Sequence, residues 1–130
     1  MKLKINLRAE SIALTRQFYE HELGMFRLEG EMWDWCCSMR AIGSEDFGLA
    51  FTTHSREPSD ELAFTLLVAN CDQEFSRLRA TNFASGGRLL PDSKGIVDVF
   101  EYPGGKNFQM EDPAGNRFLV HQDYCAQGRD

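Results

Sequence analysis

The chain has no run of apolar residues approaching the roughly 18 that a membrane helix needs. Its first residues, Met1-Lys2-Leu3-Lys4-Ile5-Asn6-Leu7, alternate instead of forming the apolar centre of a signal peptide. It has no cysteine framework either. Cys36, Cys37, Cys71 and Cys125 contain no CxxC pair and no zinc-ligand spacing, and the adjacent Cys36 and Cys37 suit a disulfide scaffold poorly. With no export signal in view, a reduced, cytoplasmic protein is expected. Positive charge is scarce: 14 Lys and Arg face 20 Asp and Glu, for a net −6. That argues against a nucleic-acid binder, which would rely on neutralising phosphates, and membrane insertion is not expected. Pro103-Gly104-Gly105-Lys106-Asn107 is no phosphate loop, because the GxxxxGK[ST] spacing is missing and no helix follows. At 130 residues the chain is long enough for one domain that folds without disulfides or a structural metal.

What is present centres on the stretch from Phe108 to Gln122. Asp112-Pro113-Ala114-Gly115-Asn116 reads as a tight turn between two strands, with Gly115 and Asn116 both tolerant of positive φ. On the exit strand Phe118 and Val120 share one face, and Arg117, Leu119 and His121 the other. Such a strand backs onto a core and lines a cleft.

In chain order, a strand is expected over Leu3 to Arg8, with Leu3, Ile5 and Leu7 on one face and Lys4, Asn6 and Arg8 on the other. Ser11 can cap a helix whose inner stripe is Ile12, Thr15, Phe18, Tyr19, Glu22 and Leu23, ended by Gly24. Strands follow at Met25 to Leu28, Met32 to Ala41 and Phe47 to Thr53, separated by turn signals at Glu29-Gly30-Glu31 and Gly43-Ser44-Glu45-Asp46. His54 to Glu61 reads as an exposed linker. A strand over Leu62 to Ala69 comes next, then a helix capped by Asn70 or Asp72, with Phe75, Leu78 and Arg79 inward. After a Gly86-Gly87 turn come a short strand at Arg88 to Leu90 and a long loop, Pro91 to Gly105, holding one further possible strand. The order β-α-β-β-β thus occurs twice, about 60 residues apart, in an α+β chain.

Two motifs carry a family resemblance. Phe18-Tyr19-Glu20-His21-Glu22-Leu23-Gly24 resembles the FYxxxLG signature of the glyoxalase/bleomycin-resistance/dioxygenase group, the vicinal oxygen chelate superfamily, and Asp112-Pro113-Ala114-Gly115-Asn116 resembles its DPxGN hairpin. The resemblance spans residues 1–130. It implies two βαβββ modules, about 1–57 and 58–124, whose mixed sheets curve around a cleft, and a homodimer.

Enzymes of that family hold a divalent metal at cleft positions which, by the resemblance, fall here at about Lys4, Ala50, Ala63 and Leu119. None is a usual ligand, and a shift of register toward His121 would supply one donor, not three. The expectation is therefore a binding protein without metal or other cofactor, similar to the drug-sequestering members of the family, and its ligand an aromatic small molecule that could be cationic. Trp33 and Trp35, alternating on one strand, would offer stacking surfaces, and Phe100 and Tyr102 in the long loop would cap the ligand. Lys4, Asn6, Arg117, Leu119 and His121 would line the cleft. Glu29, Glu31, Asp34, Asp46, Asp98 and Glu101 would give a loop-borne acidic mouth suited to a cation, whereas Lys4 and Arg117 on neighbouring strands would suit a carboxylate or phosphate. Catalysis stays open. His121 is the candidate general base, His21 and His54 read as surface residues, and Cys36 and Cys37 read as small buried hydrophobes. The alternative is a lyase, isomerase or dioxygenase with one divalent metal at a shifted site.

Overall fold

The structure is a computed structural model and describes residues 1–127. β1 (Leu3–Arg8) alternates as expected, and it pairs in parallel with β4 (Phe47–Thr52). β3 (Cys36–Ala41) and β2 (Phe26–Met32) complete a four-stranded mixed sheet in the order β1-β4-β3-β2. In the second half β5 (Leu62–Leu67) pairs in parallel with β9 (Arg117–Asp123), which pairs with β8 (Gly105–Glu111). The outer side of β8 is shared by β6 (Arg88–Leu89) and β7 (Phe100–Tyr102). In both sheets the strand before the helix lies parallel to the last strand of its half, so the repeated order read in the sequence becomes a repeated topology.

The first helix begins as expected. The Ser11 hydroxyl accepts from the Leu14 N–H at 3.2 Å, and α1 (Ile12–Arg16) follows. It then widens into π-helical turns over Gln17–Glu22, closed by Leu23 N–H donating to the Phe18 carbonyl at 2.7 Å, a departure from the continuous α-helix expected. The whole expected stripe from Ile12 to Leu23 is nonetheless buried, and Gly24 takes a φ of 71°. In the second half, Asn70 caps α2 (Cys71–Arg79) by accepting from Gln73 N–H at 3.0 Å. Phe75 and Leu78 face inward, but Arg79 points to solvent and Cys71 takes the third inner place. Arg77 on α2 donates to the Glu22 and Leu23 carbonyls at 3.2 and 2.7 Å, so a cation closes the negative end of the π-helical turns. A last short helix, α3, spans Tyr124–Gln127.

The two sequence signatures meet inside the molecule. Phe18 and Tyr19 sit against Phe118 of β9, with centroid separations of 6.1 and 6.2 Å, and Tyr19 also packs on Phe51 at 5.0 Å and edge-on to Phe26 at 5.5 Å. The Tyr19 hydroxyl donates to Asp112 Oδ2 at 2.8 Å. Asp112 in turn accepts from the backbone N–H groups of Ala114 and Asn116 and from the Asn116 side chain. Asn116 completes the tie by donating to the Arg8 carbonyl at 2.7 Å. These residues explain the motifs as a fastening between the halves, not as chemistry.

One turn lies elsewhere than expected. Glu29-Gly30-Glu31 is inside β2, where a bulge between Leu28 and Gly30 leaves Glu29 as the extra residue, and the chain reverses at Trp33-Asp34-Trp35. Trp33 and Trp35 are therefore turn residues, not alternate positions of a strand. Trp33 adopts φ 57°, a left-handed conformation rare for a bulky residue.

Candidate functional site

In both sheets, alternation turns the helix-packed face into the core and leaves the other face open. On the first sheet, cross-strand register orders the open face into rows: Arg27, Arg40, Gly48 and Lys4; then Gly30, Ser38, Ala50 and Asn6; then Met32, Cys36, Thr52 and Arg8. The middle of this face is floored by small side chains. A depression of about 420 Å³ lies there, lined by Met32, Cys36, Ser38, Ala50 and Thr52 among others. Met32 and Cys36 of its lining flank the turn whose indoles, Trp33 and Trp35, stack on one another, 5.2 Å between centroids and 9° from parallel, with His54 edge-on to Trp35 at 5.0 Å. Trp33 is 67% exposed.

On the second sheet, Phe118 and Val120 are fully buried, while Arg117, Leu119 and His121 lie on the open face as expected. His121 stands opposite Asn107 and beside Leu67. Its Nε2 is 3.5 Å from the Tyr102 hydroxyl, and its buried Nδ1 has no hydrogen-bond partner. Phe100 and Tyr102 are not loop residues but the edge strand β7, stacked 6.2 Å apart. Gly105 makes this cluster possible, since a Cβ there would lie 3.0 Å from His121 Cε1 and closer still to the Gln122 carbonyl.

The structure separates some expected partners and joins others. Lys4 Nζ is 3.0 Å from Glu29 Oε1, and Lys4 does not line the cavity that Arg117 shares with Asn6 and Arg8. Arg117 Nε donates to Glu111 Oε2 at 3.0 Å. Lys4 and Arg117 therefore form no joint anion clamp. Asn6 and Arg117, by contrast, line one cavity of about 330 Å³ to which both β1 and β5 contribute, together with Arg8, Ala63 and linker residues from Ser55 to Glu61. Arg8 lines this cavity although the sequence reading does not single it out. Its only signal in the sequence was sharing a strand face with Lys4 and Asn6.

The expected acidic mouth is largely engaged in the fold. Glu29 and Glu31 lie on β2, not in a loop; Glu29 accepts from Ser38 and pairs with Lys4, which lowers its carboxyl below the usual range, and Glu31 pairs with Arg16. Glu101 lies on β7 and accepts from the Tyr124 hydroxyl, and Asp98 accepts from the Val99 N–H. Of the cysteines, Cys37 and Cys71 are buried and desolvation pushes both thiols up to about 11, so neither is a ready nucleophile. Cys36 is half-buried on the open face, and His21 and His54 are exposed.

The residues at the family's metal positions do not fit a divalent ion. Ala50 lies between Asn6 and Ser38, Leu119 between Thr65 and Gln109, Ala63 at the irregularity between Leu62 and Phe64, and Lys4 is an ion-paired ammonium. These offer neither imidazole nor carboxylate where the ion would sit. Among the described residues no three His, Cys, Asp or Glu side chains gather as a metal site.

Comparison with known proteins agrees with this architecture. The sequence matches no protein-family model and no curated protein. Solved structures do match over nearly the whole chain. One is a member of the glyoxalase/bleomycin resistance protein/dioxygenase superfamily from Sphaerobacter thermophilus, 16% identical, covering 95% of this chain and 97% of that one at a TM-score of 0.70. A lactoylglutathione lyase from Agrobacterium tumefaciens is 13% identical, with coverage of 96% and 95% and a TM-score of 0.67. The bleomycin-binding protein of Streptomyces verticillus, in complex with copper(II)-bleomycin, is 23% identical, with coverage of 95% and 94% and a TM-score of 0.63. At these identities the likeness establishes the glyoxalase/bleomycin-resistance fold.

Proposed function

We propose that this protein binds an aromatic small molecule on its open face and does so without a protein-held metal. The observation that carries the reading is the Trp33–Trp35 stack. A large apolar surface stands exposed at the end of a small-residue floor, on a turn whose first tryptophan is held at φ 57°. A left-handed bulky residue costs of order 1–3 kcal/mol and persists where the surroundings fix it, often at a ligand site. Stacking a planar ligand on the indoles would cover that surface. The bleomycin-binding neighbour supports small-molecule binding as a use of this fold, while the lyase neighbour supports catalysis, which by the family resemblance would need metal donors that the four cleft positions here lack. Lys4 and Arg16 neutralise Glu29 and Glu31 of the expected acidic mouth, which weakens the support for a cationic ligand.

The same reading includes a homodimer. Ile42, Phe47, Thr65, Leu67 and Val68 line a groove of about 580 Å³, and Leu67 and Ile42 are 68% and 54% exposed. A second copy would cover this apolar surface.

The chain has two tryptophans, hence two indole N–H resonances. Titrating 2-naphthamide should move both, and Trp33→Ala should weaken binding by about fivefold or more, in line with the worth of one stacked pair. Indole resonances that stay still up to the solubility limit would overturn the reading.

A further inference from the structure

We infer that the cavity between β1 and β5 takes the carboxylate of an organic anion, gripped by Arg8 and assisted by Arg117. The inference rests on the small-molecule reading above and adds the ligand's charge. It starts from an incomplete guanidinium. Arg8 Nη1 donates to the Ser55 carbonyl at 2.8 Å, which fixes the side chain, while its Nε–H is buried with no acceptor. The side-on edge of a guanidinium, Nε with Nη2, is the edge that holds a carboxylate through two parallel hydrogen bonds. On that edge only Nη2 has an anionic neighbour, Glu57 Oε1 at 3.5 Å, and the Glu57 side chain is 80% exposed. A buried donor left without a partner is costly. A ligand carboxylate that displaces Glu57 would satisfy both atoms.

The rest of the cavity agrees. Arg117 is anchored through Nε to Glu111, and its Nη2 has only the almost fully exposed Asp60 at 3.7 Å. Asn6, whose side chain has no hydrogen-bond partner among the described residues, lines the same space, as does Arg56. Against these three guanidiniums stand Glu57 and Glu61 in the lining and Asp60 beside it. That balance, in a chain of net −6, favours a single negative charge over a phosphate dianion.

The site also connects to the aromatic stack. Arg8 is paired with Thr52, and Thr52 with Cys36, so two strand spacings, about 10 Å, separate the Arg8 position from the floor beside the tryptophans. One aromatic carboxylate could reach both.

The test compares 2-naphthoate, 2-naphthamide and inorganic phosphate while following the arginine Nε–H and tryptophan indole resonances. The Arg8 Nε–H signal is assigned by its absence in Arg8→Lys, which keeps the charge and loses that donor. Naphthoate should move this signal and bind about tenfold or more tighter than the amide. Arg8→Lys and Arg117→Gln should each weaken naphthoate about fivefold or more with the unfolding midpoint held. Glu57→Gln, at an exposed position, should strengthen it about threefold by removing the competitor. An unmoved Arg8 signal, an amide that binds as well as the acid, or unchanged affinity in Arg8→Lys would each overturn the inference. Phosphate that moves the Arg8 signal at concentrations as low as naphthoate does would overturn the carboxylate class. Indole movement without Arg8 movement would defeat only this inference, whereas Arg8 movement with still indoles would defeat the aromatic reading and leave the anion site standing.

Discussion

At the residue scale, a buried carboxylate joins the two halves. Asp112 accepts four hydrogen bonds, from Tyr19, Asn116 and two backbone amides, yet burial outweighs them and raises its pKa above the usual 3.8. Burial and the Asp112 charge also push the Tyr19 hydroxyl well above 10, so it stays a donor. Tyr19→Phe removes one of these bonds and should cost about 1–2 kcal/mol in urea unfolding. Asp112→Asn should cost more, about 2–3 kcal/mol, because an amide nitrogen would face donors. The sign of the pH effect follows from the raised value. The folded state holds the Asp112 proton more tightly than the unfolded chain does, so this contribution is full below about 3.8 and is lost as pH rises through the folded value. The stability gap between the parent and Asp112→Asn should therefore narrow as pH climbs through that window. A gap that widens would reverse the assignment.

At the scale of elements, close approaches decide what the strands and helices can do. A Cβ on Gly87 would lie 2.3 Å from two carbons of the Phe18 ring, and the Glu111 carbonyl stands 3.3 Å away on the backbone. Gly87→Ala should cost about 1–3 kcal/mol in urea unfolding, by overpacking the helix–sheet contact. The glycine pair at 86 and 87 was legible as a turn, but the need for Gly87 was not, because Phe18 meets it only in the folded chain. The same division runs through the other elements. β1, α2 and the hairpin around Gly115 could be read from alternation, capping and turn chemistry, all local signals. The π-helical turns were not legible, since the stripe from Ile12 to Leu23 is compatible with a regular helix and its widening is seen only where Phe18 and Tyr19 meet Phe118. The β2–β3 turn was misplaced because Glu29-Gly30-Glu31 is the stronger turn signal, and indole stacking, a tertiary contact, is not written in turn propensities. Face alternation placed Asn6, Arg117, Leu119 and His121 on open sheet faces, while the grouping of Asn6 and Arg117 with Arg8 in one cavity is a tertiary fact that no local signal carries.

At the scale of the whole molecule, two halves of like topology are fastened by the Tyr19–Asp112–Asn116–Arg8 chain and carry two aromatic clusters, Trp33, Trp35 and His54 in the turns of the first half and Phe100, Tyr102 and His121 on the second sheet. If the groove around Leu67 is covered by a second copy, light scattering should give twice the 14.8 kDa chain mass, and Leu67→Asp should return it to a single chain. A monomer in the parent would remove the dimer from the account and leave the ligand site to stand alone. The central claim is that the open face holds an organic molecule and that no protein-held metal sits at Lys4, Ala50, Ala63 and Leu119. Native mass spectrometry of protein purified without chelators and then supplied with divalent ions tests it most directly. The expected result is retained or added aromatic ligand at one per chain and no stoichiometric metal. One divalent ion bound per chain, lost on His121→Ala, would contradict it.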